Sequence, residues 1–245
     1  MSITVKSSIR QQQHSIICKL ANLIEATWQR YLTLSPYHLP EDLGYVESRL
    51  EGERLVIENA CYQTTAFRKL HLELAKVGAN LDILHCVMFP RPEYDLPMFG
   101  CDIVSGRGQI SAAIVDLSPT RPEGLPPAYA TALAGQGSQG YSQPRELPDW
   151  GYIFSDYCCF IKPVGQEEHQ RFIDQVGRYL QIHCQQANQT VPSPRQRELL
   201  LAGQRRYCSQ QQQNDKTRRI LEKAFDDAWA DRYMTQVLFD LPDGD

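Results

Sequence analysis

The chain has 245 residues, of which 25 are Lys or Arg and 29 are Asp or Glu, so its net charge is −4. A chain of this length forms one large domain or two small ones and buries a sizeable core without disulfides. The negative net charge gives no reason to expect a nucleic-acid partner. The sequence contains no run of about 18 apolar residues, so it does not predict a membrane-spanning helix. The first fifteen residues lack the apolar segment of a signal peptide, which predicts a cytoplasmic protein.

The cysteines and histidines do not follow the spacing of a metal site or a disulfide framework. Eight cysteines include no CxxC pair, and six histidines are spread along the chain. Cys86 and Cys101 fall in apolar segments and are predicted to be small buried side chains. The sequence contains no GxGxxG motif, so it gives no indication of a bound dinucleotide.

The first half of the chain predicts one helix followed by strands. Residues 10–33 place apolar side chains at helical spacing, which predicts an amphipathic helix. Residues 44–116 then change to about six short apolar segments joined by local turns. Local connections predict an antiparallel sheet.

The second half returns to helical spacing. Helices are predicted over residues 167–187, 194–209 and 216–238, with Ser193 as an N-cap before Pro194. The order of helix, strands and helices predicts one α+β domain over the whole chain. In this fold class, helices pack on both faces of a central antiparallel sheet.

His85 stands in the middle of LDILHCVMF, a segment otherwise suited to a buried strand. A buried imidazole loses free energy unless it finds hydrogen-bond partners. Symmetric pairing about the loop between Pro90 and Pro97 places Asp102 opposite His85 on the following strand. Symmetric pairing about the turn GAN places Glu73 opposite His85 on the preceding strand. Opposed residues of antiparallel strands point to the same face, with Cβ atoms about 4.5–5.5 Å apart.

Strand geometry predicts two further residues for this row. His71 shares the face by the two-residue period of a strand, and pairing about SGRG places Ser111 beside Asp102. A slip of one residue would turn part of the row to the other face. Taken singly, a buried histidine is usually a satisfied core residue. Taken together, two carboxylates and two imidazoles in an apolar sheet share protons and titrate as a unit, which predicts a proton-donating site.

A long part of the sequence resembles the ferredoxin-dependent bilin reductases. The resemblance rests on EDLGYVESRLEGERLVIENACYQTTAFRKLHLELAKVGANLDILHCVMFPRPEYDLPMFGCDIVSG, RELPDWGYIFSDYC and QQQQNDKTRRILEKAFDDAWADRYMTQVLFD. It implies a three-layer α/β/α sandwich that holds biliverdin IXα between the sheet and the C-terminal helices. It also implies a four-electron reduction to phycocyanobilin through radical intermediates, at the D-ring exovinyl group first and then at the A-ring. Reduced ferredoxin would supply the electrons singly, without a bound metal or other cofactor.

The resemblance assigns roles to the residues of the row. Asp102 in FGCDIV matches the family's central proton donor, and His85 in ILHCVMF matches the histidine that shares a proton with it. Glu73 in HLELAKVG matches the residue that donates a proton to the exovinyl group, and His71 matches a supporting histidine.

The resemblance also implies residues that bind the substrate and its electron donor. Ser111 and Arg145 match residues that hold the two propionates, although the sequence around Arg145 would by itself suggest a surface charge. NDK supplies Asn214 and Lys216 at the edge of the bilin. Lys216, Arg219 and Lys223 share one helix face. Such a run is usually only a solvated face, but beside the edge of the bilin it also suits the docking of an acidic ferredoxin. We expect a monomer.

Two other functions remain open on the sequence. A sibling bilin reductase would release a different product, and the role of Glu73 separates that enzyme from the first. A non-catalytic bilin carrier would bind biliverdin without needing buried carboxylates opposite a histidine.

Overall fold

An antiparallel sheet of eight strands forms the centre of the computed structural model, which describes residues 8–242. From β3 to β8, each strand pairs with the next one along the chain, while β1 and β2 both pair with β3. The strands are β1 (Ser35–Pro36), β2 (Tyr45–Leu50), β3 (Glu53–Gln63), β4 (Phe67–Val77), β5 (Leu81–Pro90), β6 (Met98–Gly106), β7 (Gln109–Ser118) and β8 (Cys159–Ile161). The six predicted strands are β2 to β7. β1 and β8 were not predicted, because they are too short to show an apolar period.

Seven α-helices lie around this sheet within the described residues. They are α1 (Ser15–Tyr31), α2 (Glu41–Gly44), α3 (Pro127–Ala132), α4 (Gly165–Gln189), α5 (Arg197–Gln211), α6 (Asp215–Ala224) and α7 (Asp227–Tyr233). A single π-helical turn, Met234–Leu238, continues α7. Among the described helices, none is both long and apolar enough to cross a membrane.

The helices form two layers because each strand alternates its side chains between two faces. On β4, Leu70, Leu72 and Leu74 point to the first face, where α1 and α4 pack. Ala75 and Val77 point to the second face, which the helices from α5 onward cover. Full burial of one leucine stabilises the fold by about 1.5–3 kcal/mol. The predicted α+β class and three-layer α/β/α sandwich are confirmed.

Two helix starts differ from the predictions. The helix predicted from residue 10 begins as a 3₁₀ turn, Ile9–Gln12, and α1 starts only after His14, whose ring accepts the Ile16 N–H. Ser193 occupies the N-cap position of a 3₁₀ turn, Pro194–Gln196, but its side chain makes no capping hydrogen bond, and α5 begins only after that turn. The first seven residues lie outside the described part of the chain.

The helix predicted over residues 216–238 is two helices. Phe225 leaves helical geometry, with φ −130° and ψ −108°. Asp226 then caps a new helix, because its carboxylate accepts a hydrogen bond of 2.7 Å from the Trp229 N–H. The break redirects α7 across the second face of the sheet, where Tyr233 and Phe239 are buried.

Candidate active site

A row of paired residues crosses the second face of the sheet. Glu73 of β4 lies opposite His85 of β5, and His85 lies opposite Asp102 of β6, which confirms the predicted pairing. The row continues to Asn59 of β3 on one side and to Ile114 of β7 on the other. We call Asn59, Glu73, His85 and Asp102 the polar row.

The predicted place of Ser111 in this row is wrong. The turn between β6 and β7 consists of Arg107 and Gly108, with φ of 51° and 73°, one residue later than predicted. A bulge after Val104 shifts the register further. Ser111 therefore does not lie opposite Asp102, and its hydroxyl donates a hydrogen bond of 3.1 Å to the Val104 carbonyl oxygen.

His85 and Asp102 form a short hydrogen-bonded pair. His85 Nδ1 lies 2.5 Å from Asp102 Oδ1, and the side chains are 8% and 40% exposed. Burial alone would lower the pKa of His85, because it disfavours the imidazolium. The pKa is raised instead, because Asp102 supplies a negative charge and a hydrogen bond and Glu73 supplies a second negative charge. The pair can hold a proton and release it toward the partly open Asp102 side.

Glu73 is as buried as His85 and is more buried than Asp102. Burial raises the pKa of its carboxyl group, although the charge of His85 and a hydrogen bond from Tyr233 oppose that shift. The Tyr233 hydroxyl donates to Glu73 Oε2 at 2.5 Å. Glu73 is therefore a carboxyl group that takes up a proton more readily than a carboxyl group in water.

His71 lies two residues before Glu73 and differs from His85 in its proton affinity. The pKa of His71 is well below its usual value, mainly because the ring is buried. The positive charges of Lys69 and His85 lower this pKa further. Its Nε2 lies 2.7 Å from Asn59 Oδ1, and its ring lies 5.7 Å from that of His85. The two imidazoles thus suit different roles, because one favours its charged form and the other its neutral form.

Two ring nitrogens of this cluster have no hydrogen-bond partner among residues 8–242. They are His71 Nδ1 and His85 Nε2, and both are buried. A buried polar atom without a partner costs free energy, and such atoms are often found where a ligand or water binds. The same described residues contain no group of three or more side chains that could hold a metal ion.

The other predicted substrate-binding residues lie farther out. Arg145 is exposed at the edge of the sheet, with its guanidinium 5.8 Å from the ring centre of Phe160. Phe160 is paired with Ile114, and Ile114 is paired with Asp102. Arg145, beside Phe160, therefore lies at the outer end of the cross-strand line that starts with the polar row. Asn214 caps α6 by accepting the Lys216 N–H at 3.2 Å. No hydrogen bond joins Asn214 or Lys216 to the polar row within the described residues.

Comparison with known proteins identifies the family. The profile of the ferredoxin-dependent bilin reductases matches residues 21–240. The chain belongs to the ferredoxin-dependent bilin reductases. A phycocyanobilin:ferredoxin oxidoreductase of Trichodesmium erythraeum is 60% identical over 94% of this bilin reductase and 95% of the relative. One of Synechococcus sp. is 57% identical, and the match covers 99% of each chain.

A solved structure supports the fold of this bilin reductase. The crystal structure of phytochromobilin synthase from tomato, in complex with biliverdin, superposes with a TM-score of 0.77. The match covers 97% of this chain and 86% of the tomato protein at 16% sequence identity. At this identity the comparison bears on the fold alone.

A groove of about 850 Å³ lies on the other side of the sheet, between α1, α4 and residues 135–141. It is lined in part by Arg30, Arg171 and Arg178, and it contains no residue of the polar row. We therefore place the candidate active site of this bilin reductase at the polar row, because the titratable groups with shifted pKa values meet there.

The second face also carries aromatic side chains that were not among the predicted site residues. Phe225, Trp229 and Tyr233 stack with ring centres 3.7 Å and 4.8 Å apart, and Tyr233 ends this stack above Glu73. Phe239 packs edge-on against His85 at 5.3 Å. The aromatic cover, which we define as Tyr233 and Phe239, closes the deep end of the polar row.

Lys69 anchors the segment that carries this aromatic cover. Its side chain is 0% exposed, forms an ion pair with Asp240 and donates a hydrogen bond of 2.8 Å to the Val237 carbonyl oxygen. Arg68 also pairs with Asp240. Burial lowers the pKa of Lys69, and the charge of Asp240 opposes that shift. The buried ammonium therefore depends on Asp240 for its charged form.

Asp240→Asn is expected to lower the free energy of unfolding by about 3–5 kcal/mol, because it leaves a buried ammonium without its carboxylate. Urea denaturation measures the change. The matched control is Asp231→Asn, because Asp231 pairs with Arg218 at 3.2 Å but is 63% exposed. The control is expected to cost less than about 1 kcal/mol. Equal losses in the two variants would refute the anchoring role of Asp240.

Proposed function

We propose that this bilin reductase reduces biliverdin IXα to phycocyanobilin with four electrons from reduced ferredoxin, at the D-ring exovinyl group first and then at the A-ring. The observation that carries the proposal is the short hydrogen bond between His85 and Asp102, in one row with Glu73. Four electrons require four protons. Proton donors with raised pKa values on one sheet face meet that need near neutral pH.

In this proposal, His85 and Asp102 protonate the bilin before and between electron transfers. A bilin that lies on the second face would present its pyrrole nitrogens to Asp102 and its lactam oxygens to His85. His85 Nε2, which has no partner in the described chain, is free to donate to a lactam oxygen. Protonation makes the bilin easier to reduce because each incoming electron then meets a positive charge.

Glu73 supplies the proton for the exovinyl group. Its carboxyl group lies beside His85 and is buried, so the exovinyl carbon would receive a proton away from bulk water. His71 supports this step as a neutral imidazole next to Glu73. We propose no resident cofactor, since the substrate itself accepts the electrons one at a time from ferredoxin and keeps them, with the protons, in the product.

The partly open end of the row suits the anionic propionates. Asp102 is 40% exposed there, and Arg145 lies at the end of the same line. Arginine binds a carboxylate through two parallel hydrogen bonds. We therefore assign Arg145 to one propionate, with Ser111 near the other, and we place Asn214 and Lys216 at the solvent edge of the bilin.

Access to the polar row requires a movement of Phe239. Glu73 and His85 are each 7% exposed, Tyr233 is hydrogen-bonded to Glu73, and Phe239 packs on His85. A bilin that reaches the row would displace Phe239 from His85, while the hydrogen bond between Tyr233 and Glu73 is kept. Phe239 leaves helical geometry after the π-helical turn, with φ −137° and ψ 53°, which gives it a place to move.

Ferredoxin is proposed to dock on the basic patch of α6, formed by Lys216, Arg219 and Lys223. All three side chains are exposed. Arg219 has a weak, exposed contact with Asp215 at 3.4 Å, and Lys223 lies 3.6 Å from Glu51. Such exposed pairs contribute little, so the cations stay accessible to an acidic partner. We also propose that the protein acts as a cytoplasmic monomer.

The double variant Arg219→Glu, Lys223→Glu is expected to lower kcat/KM for ferredoxin by about tenfold or more at low salt, because charge steering governs association. The difference from the wild type should shrink as the salt concentration rises. Steady-state reduction at several salt concentrations measures both effects. Lys19→Glu is the control, since Lys19 is exposed on α1, on the first face of the sheet. An equal loss in the control would place ferredoxin elsewhere.

Anaerobic turnover tests the proposed function. The purified protein is mixed with biliverdin, photoreduced ferredoxin is added, and absorption spectra are recorded before the pigment is extracted and identified by chromatography. Transient radical bands followed by phycocyanobilin are expected. Another pigment would indicate a sibling reductase, and a biliverdin complex that never changes would indicate a carrier.

A further inference from the structure

The Leu43 carbonyl group fixes the orientation of the Asn59 side-chain amide. Asn59 Nδ2 donates a hydrogen bond of 2.8 Å to the Leu43 carbonyl oxygen. A carbonyl oxygen only accepts hydrogen bonds, so the amide nitrogen must face Leu43 and the amide oxygen must face the other way. Leu43 belongs to α2 and is itself fully buried, which holds this reference point still.

The second N–H of Asn59 determines the direction of the Tyr233 hydroxyl. Asn59 Nδ2 also donates to the Tyr233 hydroxyl oxygen at 2.9 Å. A phenol has one proton, and two acceptors lie within its reach: Glu73 Oε2 at 2.5 Å and Asn59 Oδ1 at 3.1 Å. The shorter contact to a carboxylate is the stronger one, so the phenol donates to Glu73.

The amide oxygen of Asn59 determines the tautomer of His71. Asn59 Oδ1 lies 2.7 Å from His71 Nε2 and can only accept a hydrogen bond. His71 therefore carries its proton on Nε2. The lone pair of the neutral ring lies on Nδ1, which is buried and has no partner among the described residues.

We propose that Asn59 and Tyr233 are positioning residues of the active site, which set the hydrogen-bond direction of Glu73 and His71 for reduction of the exovinyl group. His71 is thereby held as a proton acceptor at Nδ1, and the Glu73 carboxylate is held in place by the phenol. Neither residue transfers a proton to the bilin itself. The inference rests on the proposed function, in which Glu73 serves the exovinyl group.

Three variants separate the two parts of this network. Tyr233→Phe removes the hydrogen bond to Glu73 and leaves the contact between Asn59 and His71. Asn59→Leu, of similar volume, removes the acceptor for His71 and the donor to Tyr233. Asn59→Asp keeps an acceptor for His71 but provides no donor to Tyr233 or to Leu43. Tyr129→Phe is the control, since Tyr129 is also buried and bonded to a histidine, His183, at 2.8 Å on the first face.

The first readout is the ¹⁵N chemical shifts of the His71 ring, which report its tautomer without any turnover. We expect a single Nε2–H tautomer in the wild type, in Tyr233→Phe and in Asn59→Asp, and a mixture in Asn59→Leu. The second readout is the extracted pigment. We expect the fraction that retains the exovinyl group to rise about tenfold or more in Tyr233→Phe and in Asn59→Leu, because misplacement of a reacting group costs such factors.

Either of two results would overturn the inference. One is an unchanged His71 tautomer in Asn59→Leu that is still folded by circular dichroism. The other is a wild-type pigment ratio in Tyr233→Phe. A wild-type protein that never reduces biliverdin would instead contradict the proposed function, and the tautomer measurement would still test the role of Asn59.

Discussion

Asp102→Asn is expected to lower the rate of biliverdin reduction by about 10²- to 10⁴-fold, the range that a positioned acid or base contributes. The amide keeps the shape of Asp102 but removes the charge that opposes the burial of the His85 imidazolium. The pKa of His85 should then fall, since burial and the charge of Lys69 both lower it. His85 would then hold a proton less readily and would be a poorer proton donor to the bilin.

Two measurements test this expectation. Single-turnover reduction under anaerobic conditions gives the rate, and an NMR titration of His85 gives the change in its pKa. Biliverdin binding should persist, because Asp102 is only one of the groups that would contact the bilin. Asp174→Asn is the control, since Asp174 is exposed on α4 and bonds only Gln170 among the described side chains. An Asp102→Asn variant with normal turnover would refute the proton-donating role of the pair.

Glu73→Gln is expected to stop the reaction at a two-electron stage, with the exovinyl group retained in the product. The glutamine can accept the hydrogen bond from Tyr233, so the local structure should survive. It cannot donate a carboxyl proton, however, and the exovinyl step should slow by about 10²-fold or more. Reduction at the A-ring would continue, because Asp102 and His85 remain intact.

Chromatography of the extracted pigment distinguishes the two products. Loss of all reduction would assign Glu73 to the protonation of bound biliverdin in general, and unchanged phycocyanobilin would remove Glu73 from the mechanism. Glu123→Gln serves as the control, because Glu123 is exposed in the loop after β7. It should give the wild-type product at the wild-type rate.

The core of the site could be predicted because local connections join neighbouring strands and set their register. The GAN turn joins Val77 to Leu81, and its symmetry was enough to place Glu73 opposite His85. The error at Ser111 has a local cause: a turn of Arg107 and Gly108, with a bulge beyond it, moved the register. A bulge depends on how the strand bends, which the apolar pattern does not reveal.

Asn59 and Tyr233 show a different limit. Asn59 could have been found, because it is a polar residue within an apolar strand and lies opposite Glu73 across the β3–β4 hairpin. Tyr233 could not, since it follows Asn59 by 174 residues and reaches the site only after the helix break at Phe225. Contacts between distant helices and a sheet depend on packing that no local sequence period encodes.

The helix break and the local hairpins also bear on how the protein folds. His85 and Asp102 are 17 residues apart in the chain, whereas Tyr233 and Glu73 are 160 residues apart. Contacts between residues close in sequence form early, because closing a short loop costs less chain entropy. The His85–Asp102 pair can therefore assemble with its hairpin, while Glu73 gains its phenol partner only when the C-terminal helices dock. Amide hydrogen exchange during refolding should protect β5 and β6 before α7.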